Sequence, residues 1–187
     1  MSPLSTVPET PSATPASRFE RILAYRVFIL LATGILALDQ LTKFWISNQM
    51  PLGTYLPPGR IDIITGFFHL VHVGNPGAAW SMFQGYSKLL GVFALVTLVA
   101  IFVWRRSLGL RLLPVQVSFG LLCGGILGNL VDRLLHGHVI DFLDFHFGSY
   151  TYPTFNVADS GICIGVIVYL IYSFKNPEGG KRQQKPE

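Results

Sequence analysis

Residues 124–145 read GGILGNLVDRLLHGHVIDFLDF, an apolar run that carries Asn129, Asp132 and Arg133 near its end and then places two further acids, Asp141 and Asp144. Only ten Asp and Glu occur among the 187 residues. Half the residues are hydrophobic and 13% are charged, with a mean hydropathy of +0.47; these values belong to membrane proteins rather than to soluble domains. Acids within such a chain are costly in lipid, and the default reading of them is functional.

Four apolar segments stand out: Tyr25 to about Ile46, about Lys88 to Trp104, Pro114 to about Leu135, and Val157 to Phe174. Each is near the ~20 residues that a bilayer-crossing helix needs. Residues 1–17, rich in Pro, Ser and Thr, read as a disordered cytoplasmic tail with no cleavable signal peptide, and 176–187 as a second tail. The expectation is one membrane domain over 18–175, with no internal repeat and no second globular domain.

Positive charge gives the orientation. Arg18, Arg21 and Arg26 precede the first segment, Arg105, Arg106 and Arg111 fill the second connection, and Lys175, Lys181, Arg182 and Lys185 follow the last. Those ends are expected to be cytoplasmic, which accounts for the net charge of +4 without a nucleic-acid partner. At ~1.5 Å per residue, Asp39 lies roughly 21 Å into its span, Asn129 and Asp132 roughly 22 and 27 Å, and Asp159 roughly 24 Å from the inner face. One polar cluster near the outer boundary is expected.

Gly120, Gly124 and Gly128 on the third segment and Gly161 and Gly165 on the fourth are spaced for close helix approach, and these two faces are expected to meet. In the first outer connection, Ile61–Ile64 and Phe67–Val73 flank Thr65-Gly66 and read as a hairpin. Ser149–Phe155 reads as another extended piece. Together they suggest a small β platform. Cys123 and Cys163 both lie in apolar runs and read as buried apolar residues.

Three motifs carry chemistry. Asp39 and Lys43 in DQLTK stand at i, i+4, the spacing of a neutralising ion pair. Asn129 and Asp132 in GNLVDR share a helical face; the acid opposes the helix dipole there, so it does not serve helix stability, and either a structural pair with Arg133 or Lys43 or a role in the site accounts for it. In FNVADS, Asn156 stands at an N-cap and Asp159 at N3. If Asp159 converges with an acid of the 136–155 connection, the two cannot both ionise cheaply and hold one proton between them, the arrangement of aspartic proteases. Asp141 and Asp144 would share a side of a helical turn but oppose each other on a strand, so spacing does not choose between them. The five His lack metal-ligand spacing. A proton-coupled transporter or channel is the rival reading, disfavoured because the inner two thirds of the spans hold no acid and few polar groups, Gln116 the clearest.

DQLTKFWI, HVGNPGAAWSMF, GGILGNLVDRLLHGHVIDFLDF and TFNVADSGICIG, in that order from about residue 25 to 174, resemble the bacterial lipoprotein signal peptidase family, signal peptidase II. The resemblance implies four transmembrane helices with a small extracytoplasmic β-sheet and an aspartic endopeptidase of the cytoplasmic membrane that cleaves diacylglyceryl-modified prolipoproteins. A monomer that needs neither metal nor nucleotide is expected. The resemblance makes Asp141 and Asp159 catalytic and Asn75, Asn129, Arg133 and Asn156 site-lining, with Asp39, Lys43 and Asp132 as supporting polar positions. Asp144 is then expected to be a solvated or locally hydrogen-bonded loop acid. Trp80 departs from the Phe more usual in that family.

Overall fold

The computed structural model describes residues 22–78 and 82–177. Residues 1–17 and 178–187 of the two tails, Trp80 and the terminal charges Arg18, Arg21, Lys181, Arg182 and Lys185 lie outside the described residues. The chain is mostly helical: α1 (Arg26–Gln49), α2 (Ser87–Val103), α3 (Leu113–His136) and α4 (Val157–Lys175). Three of these, α1, α3 and α4, are long and apolar enough to cross a membrane, while α2 is a shorter apolar helix of 17 residues.

Helix α3 is the centre of the bundle and packs most extensively against α4 and α1. Its small residues decide how close each neighbour comes, and here the expected glycine pairing needs correction. A methyl group on Gly120 or Gly124 would strike Phe28, Leu31, Ala32 or Ile35 of α1, not α4. The α3–α4 approach is made instead by Gly125, against Ala158 and Ile162, and by Gly165 of α4, against Ser118 and Leu122, while Gly161 of α4 faces both Leu121 of α3 and Ile35 of α1. Gly128 sits where both neighbours meet, between Asp39 and Ala158. Periodicity identifies a close-packed face, but which helix fills it is a tertiary matter. Asp132 accordingly turns toward α1, and Asn129 is the α3 residue that reaches Asp159.

Helix α3 begins with Pro114 in its first turn and ends on Gly137 at φ 77°, a left-handed C-cap that suits glycine. The chain then enters a strand almost at once. Four strands form an antiparallel sheet in sequence order: β1 (Ile61–Ile64), β2 (Phe68–Asn75), β3 (Val139–Phe147) and β4 (Tyr150–Thr151). The hairpin β1–β2 stands where the sequence placed it. Of Ser149–Phe155 only Tyr150–Thr151 forms a strand, and Phe155 adds an isolated bridge to Leu143.

Ile46, Met50 and Phe142, packed with Leu70, Leu143 and Val157, seat the sheet on the end of α1 and the start of α4. A second core of Ile101, Leu110, Val115, Phe119 and Cys123 joins α2 to α3 at the opposite end. Cys163, expected to be buried, is exposed on α4, because the close approach to α3 uses Gly161 and Gly165 instead.

Candidate active site

The site lies where the sheet meets the first turn of α4. Asp141 is on β3, opposite Val73 of β2, with Asn75 opposite Val139 one step away on the same face. Asn75 Nδ2 donates to Asp141 Oδ2 at 3.0 Å. The other carboxylate oxygen, Oδ1, accepts from Asn156 Nδ2 at 2.8 Å.

Asn156 is the hub of the site and is fully buried. Its side-chain oxygen caps α4 by accepting from Asp159 N at 2.9 Å, and Asp159 Oδ2 accepts in return from Asn156 N at 3.3 Å, a reciprocal capping box. Its Nδ2 also lies 3.2 Å from Asn129 Oδ1 and 3.2 Å from Ile140 O. Asn129 Nδ2 in turn donates to Asp159 Oδ1 at 2.7 Å. Two carboxylates from separate elements are thereby held by three asparagines, Asn75, Asn129 and Asn156. Burial, and then the negative charge of Asp159, push the Asp141 carboxyl up to about 7.

Behind this pair Lys43 Nζ lies 2.8 Å from Asp39 Oδ2, 2.8 Å from Asp132 Oδ2 and 3.1 Å from Asn129 Oδ1. The ammonium thus donates hydrogen bonds to Asp39 and Asn129 and forms an ion pair with Asp132. Arg133 reaches across to the loop after β2, with Nη2 at 2.9 Å from Gly77 O, and its buried Nε has no partner among the described residues. A cavity of about 870 Å³ opens in front, lined among others by Asn75, Asn129, Arg133, Asp141, Asp159 and Cys163. Its volume suits a substantial organic ligand.

Every sequence-derived site residue is thus gathered into one network. Two features had not been anticipated. Gln40 Nε2 lies within 3.0 to 3.2 Å of Asp132 Oδ1, Asp39 Oδ2 and Gly128 O; its i, i+3 spacing to Lys43 was the available signal. Asp144, moreover, is neither solvated nor on a loop. It is fully buried on β3 and opposes His69, so it lies on the other face of the sheet from Asp141. Its hydrogen bond is local, from His146 Nε2 at 2.7 Å, with the Tyr55 hydroxyl 3.5 Å away. Among the described residues, no group of three or more His, Cys, Asp or Glu could hold a metal ion.

Comparison with known proteins accords with this geometry. A sequence model of signal peptidase (SPase) II matches residues 31–175. The chain is 38% identical over 144 residues to a lipoprotein signal peptidase of Bacillus pumilus, covering 77% of this chain and 90% of that protein. It is 39% identical over 155 residues to the one from Desulforapulum autotrophicum, covering 79% and 91%. Two solved structures described as bacterial membrane enzymes superpose with TM-scores of 0.73 and 0.70 at 31% and 33% identity; they cover 87% and 81% of this chain, and 95% and 94% of their own. With the match spanning three of the four helices from end to end and all four strands, the chain belongs to the signal peptidase II family.

Proposed function

We propose that this protease removes signal peptides from diacylglyceryl-modified prolipoproteins by aspartic catalysis, with Asp141 and Asp159 as the pair that acts. The observation that carries the reading is the convergence of these two buried carboxylates on Asn156, with the proton affinity of Asp141 raised to near neutrality. Such a pair holds one proton at neutral pH. The ionised partner takes a proton from a water lying between them as its oxygen bonds to the scissile carbonyl carbon. The protonated partner gives its proton to the departing nitrogen as the C–N bond breaks. One proton leaves the pair and one enters it, so the site is ready for the next turnover.

Asn75, Asn129 and Asn156 orient the two carboxylates, and the guanidinium of Arg133, which lines the cavity, offers a donor group to a substrate carbonyl. We assign α2 as a fourth span, since 17 apolar residues are at the lower limit for crossing and Tyr86 and Trp104 bound it with interfacial aromatics. The Lys/Arg asymmetry then puts both termini in the cytoplasm and the sheet outside. A site at the outer edge of the hydrocarbon keeps acyl chains in lipid while water reaches the scissile bond. The relatives named lipoprotein signal peptidase support the substrate class, and a transporter reading has no support from them. Incubation of purified protein with a diacylated prolipoprotein, resolved by gel mobility, tests the reading. Cleavage of the diacylated but not of the unlipidated precursor is expected, and absence of cleavage refutes it.

A further inference from the structure

Each candidate catalytic aspartate follows a residue whose backbone N–H ends on a buried carboxylate. Ala158 N donates to Asp39 Oδ1 at 2.9 Å, and Ile140 N donates to Asp132 Oδ2 at 3.0 Å. Ala158 adjoins Asp159, and Ile140 adjoins Asp141. Lys43 joins the two carboxylates with equal contacts of 2.8 Å, and Gln40 joins them a second time through its amide. Asp39, Lys43 and Asp132 are buried to 2% exposure or less.

The arrangement is hard to explain by stability. Two carboxylates and one ammonium removed from water incur a desolvation penalty that their attraction barely repays. The helix does not need all of it either. The capping box already satisfies the amides of Asn156 and Asp159, and Asp39 supplies an acceptor for the amide of Ala158 from another helix. The chain from Phe147 to Asn156 that separates β3 from α4 includes only the two-residue strand β4. Asn156 and the Phe155–Leu143 bridge tie the start of α4 to β3 directly, and α1 with α3 add a second link, made to the backbone just before each aspartate.

We propose that Asp39, Lys43 and Asp132 form a positioning clamp that sets the separation of Asp141 and Asp159 by gripping the backbone one residue before each. The clamp rests on the aspartic reading of the site and gives these three residues a role through geometry, without contact with substrate. Gly128 lets Asp39 into place, since a methyl group there would meet the Asp39 carboxylate.

The charged groups around the pair are Lys43 and Arg133 on one side of the balance and Asp39 and Asp132 on the other, so the test has to separate charge from position. Asp39→Glu and Asp132→Glu keep each charge and displace each acceptor by one methylene. A displacement of about 1 Å at reacting groups costs on the order of 10²-fold in rate. We expect kcat to fall by about tenfold or more with KM within about twofold, on the scale of that misplacement effect. The two limbs of the pH–rate profile should change their separation, because the coupling of two carboxylates depends on their distance. A structural role alone lowers Tm and the folded fraction and leaves the limbs in place, and that result overturns the clamp. So do Glu variants with wild-type kcat and wild-type limbs. Gln40→Met removes the neutral cross-link without changing any charge and should give the same signature more mildly in a protein that still folds; unshifted limbs there also overturn the proposal. Asp141→Asn and Asp159→Asn are measured alongside. Activity in either sinks the aspartic reading itself, whereas two dead variants beside normal Glu variants sink only the clamp.

Discussion

Asn156 donates to Asp141 at 2.8 Å across 15 residues of sequence, and through that bond the residue that starts α4 also fixes a side chain of β3. Removing the side chain should therefore do two unequal kinds of damage. Loss of an Asn N-cap costs about 1 kcal/mol of stability, a modest fall in Tm. Loss of the orienting donor to Asp141 should lower kcat for a diacylated precursor by about a hundredfold, the scale expected for a misplaced catalytic group. An Asn156→Ala protein with kcat lowered only in proportion to its folded fraction would reduce the residue to a cap.

Asp141→Asn and Asp159→Asn should each abolish cleavage while the protein still inserts, and the double variant should be no worse, because residues acting as a unit are not additive. Asp144 lies across the sheet and out of reach of that chemistry. Asp144→Asn disturbs a buried hydrogen bond to His146 and so should lower Tm, with kcat per folded molecule within about threefold of wild type, since a buried bond of this kind is a matter of stability. A folded but inactive Asp144→Asn protein would mean the wrong face had been chosen.

The raised proton affinity of Asp141 has a definite sign in both activity and stability. With its carboxyl up to about 7, the shared proton is lost above neutrality, and kcat/KM should decline as pH rises through about 7. The folded protein also binds a proton there that the unfolded chain, with an ordinary carboxyl near ~3.9, does not. The folded state is thus favoured at low pH, and this contribution fades between about pH 4 and 7. Asp141→Asn should flatten the fall in Tm over that window. Equal slopes for the two proteins would show that Asp141 ionises normally.

Two glycine substitutions should act in opposite directions. Ala is a better helix former than Gly by about 1 kcal/mol, and at Gly34 of α1 an added methyl meets nothing, so Gly34→Ala should leave Tm unchanged or raise it. At Gly128 the same methyl collides with the Asp39 carboxylate and approaches Ala158, so the propensity gain is outweighed. Gly128→Ala should lower both Tm and activity. Thermal melts in detergent decide between the signs.

The helices were legible because their apolar runs are long, and the hairpin because Thr65-Gly66 separates two β-branched stretches. Strand β3 was not. VIDFLDFHF has apolar residues on both faces, with Asp141 turned to one and Asp144 to the other, so no simple alternation marks it and the acids suggest a loop. Neighbour choice was also illegible. The spacing of Gly120 and Gly124 announces a close approach without saying that α1 is the partner, and the exposure of Cys163 follows from the same ambiguity. The site residues could be named because their order matches a family. That Asn156 connects the two aspartates, or that Gln40 belongs among them, required the fold.

Only Gly137 and His138 separate the last residue of α3 from the first of β3, and Gly137 takes the left-handed turn that makes so abrupt a change possible. The side-chain period of a strand is two, so a one-residue insertion or deletion at this junction would exchange the faces of the whole strand. Asp141 would then point at the seat of the sheet, and Ile140 or Phe142 would take its place before the cavity. The exposed stretch from Leu56 to Gly59 faces no such constraint, because its length sets no register in β3. Lineages of this protein are free to lengthen that connection, whereas the two-residue junction after His136 is a ruler whose length specifies which side chain meets the substrate.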